Sequence, residues 1–277
     1  MKAVLISIAA ATCVLVLTAP ETQSAERQPE RQAAAPPHAL NDYPWRARVR
    51  AAARFARRRA GSVAFAVLDE RRRLHGFRAG RIYPSASVVK VMLMVAYLNR
   101  RSVRQRRLHR SDRRLLGPMI RRSDNATASA IYSLVGDGGL RRVAHRAGMR
   151  RFTPGGPVWG LSRITARDQA RLMIRVDRLV PARHRSFALH LLTDIVRRQR
   201  WGMPGATPKG WQLHFKGGFV PEAGGWKTHQ VALLRRGGRR MSVAVLSRFN
   251  PSLHYGGRTI DGVTRRLFRG YNRIASD

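Results

Sequence analysis

The chain has 277 residues, 44% of them hydrophobic, which is enough for one large or two small packed domains and argues against a disordered chain. Its 54 lysines and arginines against 15 acids leave a net charge of +39, which draws a protein toward a polyanion such as nucleic acid, a membrane surface or acidic wall polymer. All but five of those basic residues are arginine, a choice that nucleotide bias produces as readily as selection for binding, and no zinc-finger or RNA-recognition spacing accompanies them.

Residues 1–25 open with Met1-Lys2, continue as an apolar run and end in the small pair Ser24-Ala25, the layout of a secretory signal. The expected location is therefore outside the cell or in the envelope space. The run is shorter than the ~20 residues needed to cross a bilayer, and no later segment approaches that length, so no membrane span is expected after signal removal. Cys13, the only cysteine, lies inside the run. The exported protein then has no disulfide and must draw its stability from core packing. Residues 26–42 are rich in Gln, Ala and Pro without apolar period and read as a flexible linker, with the folded domain over 43–277.

Within that domain, 45–59 has the pattern of an amphipathic helix, and 61–68 with 72–77 that of a hairpin. From Ser87 onward Val88, Val89, Val91, Met92, Leu93, Met94 and Val95 are apolar on nearly every side, as in a helix buried at a domain centre. Helical patterns follow at 113–121, 126–135, 140–147, 166–177 and 184–198, and Thr165 to Asp168 has capping-box spacing. The period then switches to strand at 211–216, 230–234 and 241–246, before a closing helix over 261–271. This order predicts an α+β fold: an antiparallel sheet built from both chain ends (43–80 and 205–277), flanked by helices, with an all-helical part over 81–204.

Three short motifs carry candidate chemistry. Ser87 and Lys90 stand three apart, so on a helix they face the same side and would touch. A buried lysine amine loses its proton readily enough to serve as a base toward a serine hydroxyl, whereas arginine never does. Two of the few lysines, Lys90 and Lys216, fall in these motifs, in a chain that uses arginine almost everywhere else. Ser123-Asp124-Asn125 precedes the 126–135 helix and, taken alone, is a helix cap as readily as a proton relay with an amide-binding asparagine. Lys216-Gly217-Gly218 ends a strand, where glycines let a substrate approach the edge and the Phe219 N–H can join that of Ser87 as an oxyanion pair.

Together and in this order the motifs resemble the Ser-x-x-Lys, Ser-Asp-Asn and Lys-Thr-Gly set of class A β-lactamases and penicillin-binding proteins, over about residues 43–271. The resemblance implies a β-lactamase-type sandwich. It makes Ser87 the acylated nucleophile, Lys90 and Ser123 the proton carriers, Asn125 the holder of the acylamino group and Lys216 the group that attracts the substrate carboxylate. The third motif departs from the pattern, because Gly217 lacks the hydroxyl, and Trp226, Lys227, Thr228 or His229 on the next strand could share carboxylate recognition. Class A lactamases also use a loop glutamate to activate the deacylating water. Here no Glu occurs between Glu70 and Glu222, and 152–162 carries no acid. Asp168, the nearest carboxylate, reads as a capping residue.

The expectation is a secreted, monomeric serine hydrolase that is acylated at Ser87 by β-lactams or wall peptides ending in D-Ala-D-Ala and is slow to release the acyl group. The alternative is a weak or inactive basic protein of the same fold that binds anionic cell-wall polymer. Neither a Gly-x-Ser-x-Gly elbow nor a His-Glu-x-x-His pair is present, and no cofactor or metal is expected.

Overall fold

The computed structural model describes residues 43–271; the expected signal and linker lie outside the described residues. Helix α1 (Trp45–Arg57) buries Trp45, Ala52, Ala53 and Ala56 on one stripe and leaves most of its arginines in solvent. Strands β1 (Ser62–Leu68) and β2 (Leu74–Phe77) form the expected hairpin, and a short β3 (Ile82–Pro84) follows. The apolar run becomes α2 (Lys90–Leu98), all nine residues of which are buried. Helices α3 (Arg101–Arg104), α4 (Arg110–Gly117) and α5 (Asn125–Ala147) continue the helical part. At Gly136 the backbone of α5 leaves helical geometry (φ 55°, ψ −174°), which divides it where the sequence separates two helices. After β4 (Arg163–Thr165), the helices α6 (Ala166–Met173), α7 (Val176–Leu179) and α8 (Arg185–Thr193) lead to three long strands and a last helix. These are β5 (Gln212–Glu222), β6 (Gly225–Arg236), β7 (Arg239–Asn250) and α9 (Leu253–Phe268).

Antiparallel pairing gives a five-stranded sheet in the order β2-β1-β7-β6-β5, so strands from both ends of the domain meet at β1 and β7, with Phe65 opposite Val245. Every residue of β1 is buried, which requires cover on both faces and explains why the strand shows no alternation. Helices α1 and α9 pack on each other and on the sheet, while α6 and α8 pack on it with the helical part behind them. The fold is the expected α+β arrangement of an antiparallel sheet flanked by helices. No helix among the described residues is long and apolar enough to cross a membrane.

Several boundaries differ from the sequence expectations for identifiable reasons. The three C-terminal strands outrun their apolar cores because ladder hydrogen bonds, not burial, hold Arg235 to Arg240 and Arg236 to Arg239 around the Gly237-Gly238 loop. Helix α9 starts at Leu253, well before 261, since Ser252 Oγ accepts the Tyr255 N–H as a cap. Glycines disguise that first stretch. A Cβ at Gly256 would come within 2.3 Å of Thr228 Oγ1, so close helix–sheet approach takes precedence over helix propensity. Helix α8 stops at Thr193, not 198, and the chain turns so that Val196 N–H reaches Arg121 O and Gln199 Nε2 reaches Arg122 O. The part over 81–204 is not all-helical as expected: it holds the β3–β4 pair, whose three residues per strand are too few to show a period.

Candidate active site

The segment carrying Ser87 is tied down before it reaches the serine. Ser85 N–H donates to Ser162 O at 2.8 Å and Ser85 Oγ to Gly160 O at 3.2 Å, while Pro84 O accepts from His229 Nε2 at 2.9 Å. Because Ser247 N–H donates to His229 Nδ1, the ring proton sits on Nε2. Burial pushes this histidine down to about 4, so it stays neutral as a fixed strut. Ala86 then adopts φ 45°, the left-handed region that costs a non-glycine residue about 1–3 kcal/mol and recurs at functional sites. Ser87 follows in a 3₁₀ turn (Ala86–Val89) leading into α2, with Val88 and Val89 buried beneath it. Its side of the turn lines a cleft of about 430 Å³ shared with Asn125, Ser129, Trp159, Phe219 and Lys227.

Lys90 is fully buried one turn on, but its amine does not bond to the Ser87 hydroxyl as the helical spacing suggests. Nζ donates to Ser123 O at 2.5 Å, Ser123 Oγ at 3.3 Å and Asn125 Oδ1 at 2.8 Å, which uses all three of its protons. The π-helical turn Pro118–Arg122 ends in Ser123 at φ 60°, and this left-handed residue presents both its carbonyl and its hydroxyl to Lys90. An ammonium can only donate, so it fixes Oδ1 of Asn125 toward itself and leaves the Nδ2 donors of that amide free. Asp124 plays the capping part: its Oδ1 accepts from Thr127 N–H and Oγ1. Burial pushes the Lys90 ammonium down to about 8, against an upward pull from the Asp124 charge.

Lys216 is also fully buried, on the face of β5 that carries His214 under α8, and its one polar partner is Gly217 O at 2.8 Å. Burial, with the Lys90 charge second, drives its ammonium well below the ordinary lysine range. A fully buried amine with one acceptor and no carboxylate costs stability and is retained for something other than folding. Lys216→Met, of similar volume, is therefore expected to raise the unfolding free energy by about 1–3 kcal/mol in chemical denaturation. A destabilised variant would contradict this reading.

Gly218 abuts the Ser87 turn: a Cβ there would lie 2.9 Å from both the Ser87 and the Val88 backbone nitrogens. Gly217 is different, since a Cβ would meet Trp201 at 3.9 Å, an ordinary contact, and its backbone does not demand glycine. Trp201 flanks this strand and meets Phe219 edge-on at 5.8 Å. Gln230, opposite Gly217, fixes the Trp201 segment by donating to Trp201 O at 2.6 Å and accepting from Met203 N–H at 2.8 Å. Neither residue stands in a recognisable motif, and only the pairing register reveals them. Of Trp226, Lys227, Thr228 and His229, Lys227 alone lines the cleft, with Glu222 3.5 Å from its amine. His229 is committed to its strut, and Thr228 Oγ1 is buried without a partner against Gly256.

The acid-free loop folds over the cleft and places the Trp159 ring, not a carboxylate, 4.9 Å from Lys90 Nζ. Its indole N–H donates to Ser129 Oγ at 3.1 Å. Asp168 is structural: Thr165 Oγ1 caps its N–H, but its carboxylate accepts from the Arg150 and Arg151 N–H groups instead of closing the capping box. The site therefore joins a serine on a strained turn, two buried lysines and the Ser123 hydroxyl, with no carboxylate on the loop over the cleft.

Solved structures with this architecture include a beta-lactamase from Sphaerobacter thermophilus, with a TM-score of 0.69 at 20% identity, covering 83% of this chain and 99% of that one. A class A beta-lactamase from Mycobacterium abscessus gives 0.67 at 21% identity, covering 81% and 99%, and a structure of PBP-A gives 0.67 at 15% identity, covering 82% and 96%. At these identities the likeness is one of fold. No curated protein matches the sequence. The model of the Beta-lactamase2 family, described as the beta-lactamase enzyme family, matches residues 105–271, more than half of the chain and including the second and third motifs. The chain belongs to the beta-lactamase enzyme family, whose model spans the second and third motifs and most of the folded domain.

Proposed function

We propose that this protein is an exported serine hydrolase, acylated at Ser87 by a β-lactam or a wall peptide ending in D-Ala-D-Ala and slow to release the acyl group. Neutral Lys90 takes the Ser87 proton as Oγ attacks the carbonyl, and the Ser87 and Phe219 N–H groups receive the oxyanion. Collapse of that intermediate breaks the amide, and the proton reaches the leaving nitrogen through Ser123. Asn125 Nδ2 holds the donor's acylamino carbonyl, and Lys216 attracts its carboxylate. The observation that carries this reading is the buried Lys90 amine, held between Ser123 and Asn125 beside the Ser87 turn.

Slow release rests on the loop that meets this amine with the Trp159 ring and no carboxylate. A water attacking the ester must surrender a proton, and the loop over the cleft offers no carboxylate to take it, while Asp124 is committed to capping Thr127. Intact-mass spectrometry of the full chain with benzylpenicillin is expected to show a one-to-one adduct that persists for many turnover times of an ordinary lactamase. Ser87→Ala should show none. Rapid return to the free mass with ring-opened product would overturn slow release and leave acylation standing. No adduct at all would favour the wall-polymer-binding alternative.

A further inference from the structure

Large apolar side chains are exposed at only six of the described positions, and three of them rim one cleft: Val158 at 60% exposed, Leu161 at 51% and Val220 at 36%. On a surface otherwise dense in arginine, this concentration is a recognition feature. Val158 and Leu161 come from the loop over the cleft, and Val220 comes from β5 immediately after Phe219, so the apolar groups face the cleft from two elements.

The loop holds its side chains at a set distance from the nucleophile. Leu161 N–H donates to Val158 O at 2.8 Å, and Ser162 Oγ donates to Trp159 O at 2.7 Å while accepting from Gly155 N–H at 3.1 Å. Gly155 is packed so tightly that a Cβ would lie 2.6 Å from Ser162 N. Two hydrogen bonds from Ser85 then fasten the loop to the turn that carries Ser87. Pre-organised apolar walls of this kind need no ordering when a ligand arrives. Among the described residues lining the cleft the one charged group, Lys227, already faces Glu222. A charged acyl side chain would therefore lose water and find no free counter-ion.

We infer that the cleft selects acyl donors whose side chain is apolar, held against the wall of Val158, Leu161 and Val220. The inference rests on the acylation of Ser87 proposed above and names the class of donor that reacts there. Acyl groups with aryl or alkyl chains gain binding from the apolar area they bury on that wall, whereas zwitterionic chains gain little.

The test compares second-order acylation rates for two penicillins on the same ring nucleus, one with a phenylacetyl and one with an α-aminoadipoyl side chain. The phenylacetyl donor should acylate the wild-type chain at least about tenfold faster. Leu161→Ser combined with Val220→Ser, both at exposed positions, should bring the two rates within about threefold, and an unaltered unfolding temperature would show the fold intact. Equal rates in the wild type, or a double variant that slows both donors alike, would overturn this inference alone. Absence of an adduct with either donor would overturn it together with the acylation reading.

Discussion

Lys90→Arg is expected to lower the rate of Ser87 acylation by about 10³- to 10⁴-fold, the range over which a general base acts. The substitution keeps the positive charge and could keep bonds to Ser123 and Asn125, so a purely structural cation would survive it. It removes the one property arginine lacks, release of a proton near neutral pH. The pH profile gives an independent check. Burial lowers the lysine from its ordinary 10.5 to about 8, so the reactive neutral amine is scarce at pH 7 and predominates above pH 8. Wild-type acylation should accordingly rise with pH through about 8 and then level off, and the arginine variant should lose that limb. A profile flat from pH 6 to 9 would remove Lys90 as the base. In a chain whose basic residues are almost all arginine, such an outcome would also leave the surviving lysine without an explanation.

The second large effect concerns Gly218. A Cβ at this position sits 2.9 Å from the Ser87 and Val88 nitrogens, closer than real side chains pack, so Gly218→Val must push β5 and the nucleophile turn apart. The expected loss is about 10²- to 10³-fold in acylation, comparable to removing one oxyanion donor. Val at Gly217 has no such obstacle, because the nearest atom of Trp201 stands 3.9 Å away, so Gly217→Val is the matched control and should cost far less. Equal losses at the two glycines would mean that the strand edge, not the Ser87–Phe219 pair, is the sensitive element. Unfolding curves recorded alongside separate a displaced turn from a broken fold.

Much of the site was legible because it is written in short motifs whose spacing has local meaning. Ser-x-x-Lys on a helix, a serine–aspartate–asparagine cap and a lysine before two glycines each define a geometry within a few residues. Ser87, Asn125 and Phe219 do line one cleft, and Lys90 does reach both Ser123 and Asn125. The same locality misled in one respect. Three-residue spacing puts Lys90 on the side of Ser87, but Ser123 and Asn125 offer three better acceptors from another element. Trp159, Trp201, Gln230 and His229 were not legible as parts of the site, since each acts through partners tens of residues away and carries no motif.

From the sequence by itself come the α+β class, the strands at both ends, the buried central helix, the three motifs and the missing loop acid. These follow from hydrophobic period, turn chemistry and residue type, which are properties of a few neighbouring positions. Only the tertiary structure decided that two lysines lie sealed beneath the cleft, that Trp159 faces Lys90, that Gly218 presses on Ser87 while Gly217 does not, and that exposed aliphatic residues gather at the mouth. Burial and proximity depend on how distant segments close on one another, and desolvation of an amine or crowding of a backbone exists only once they have done so.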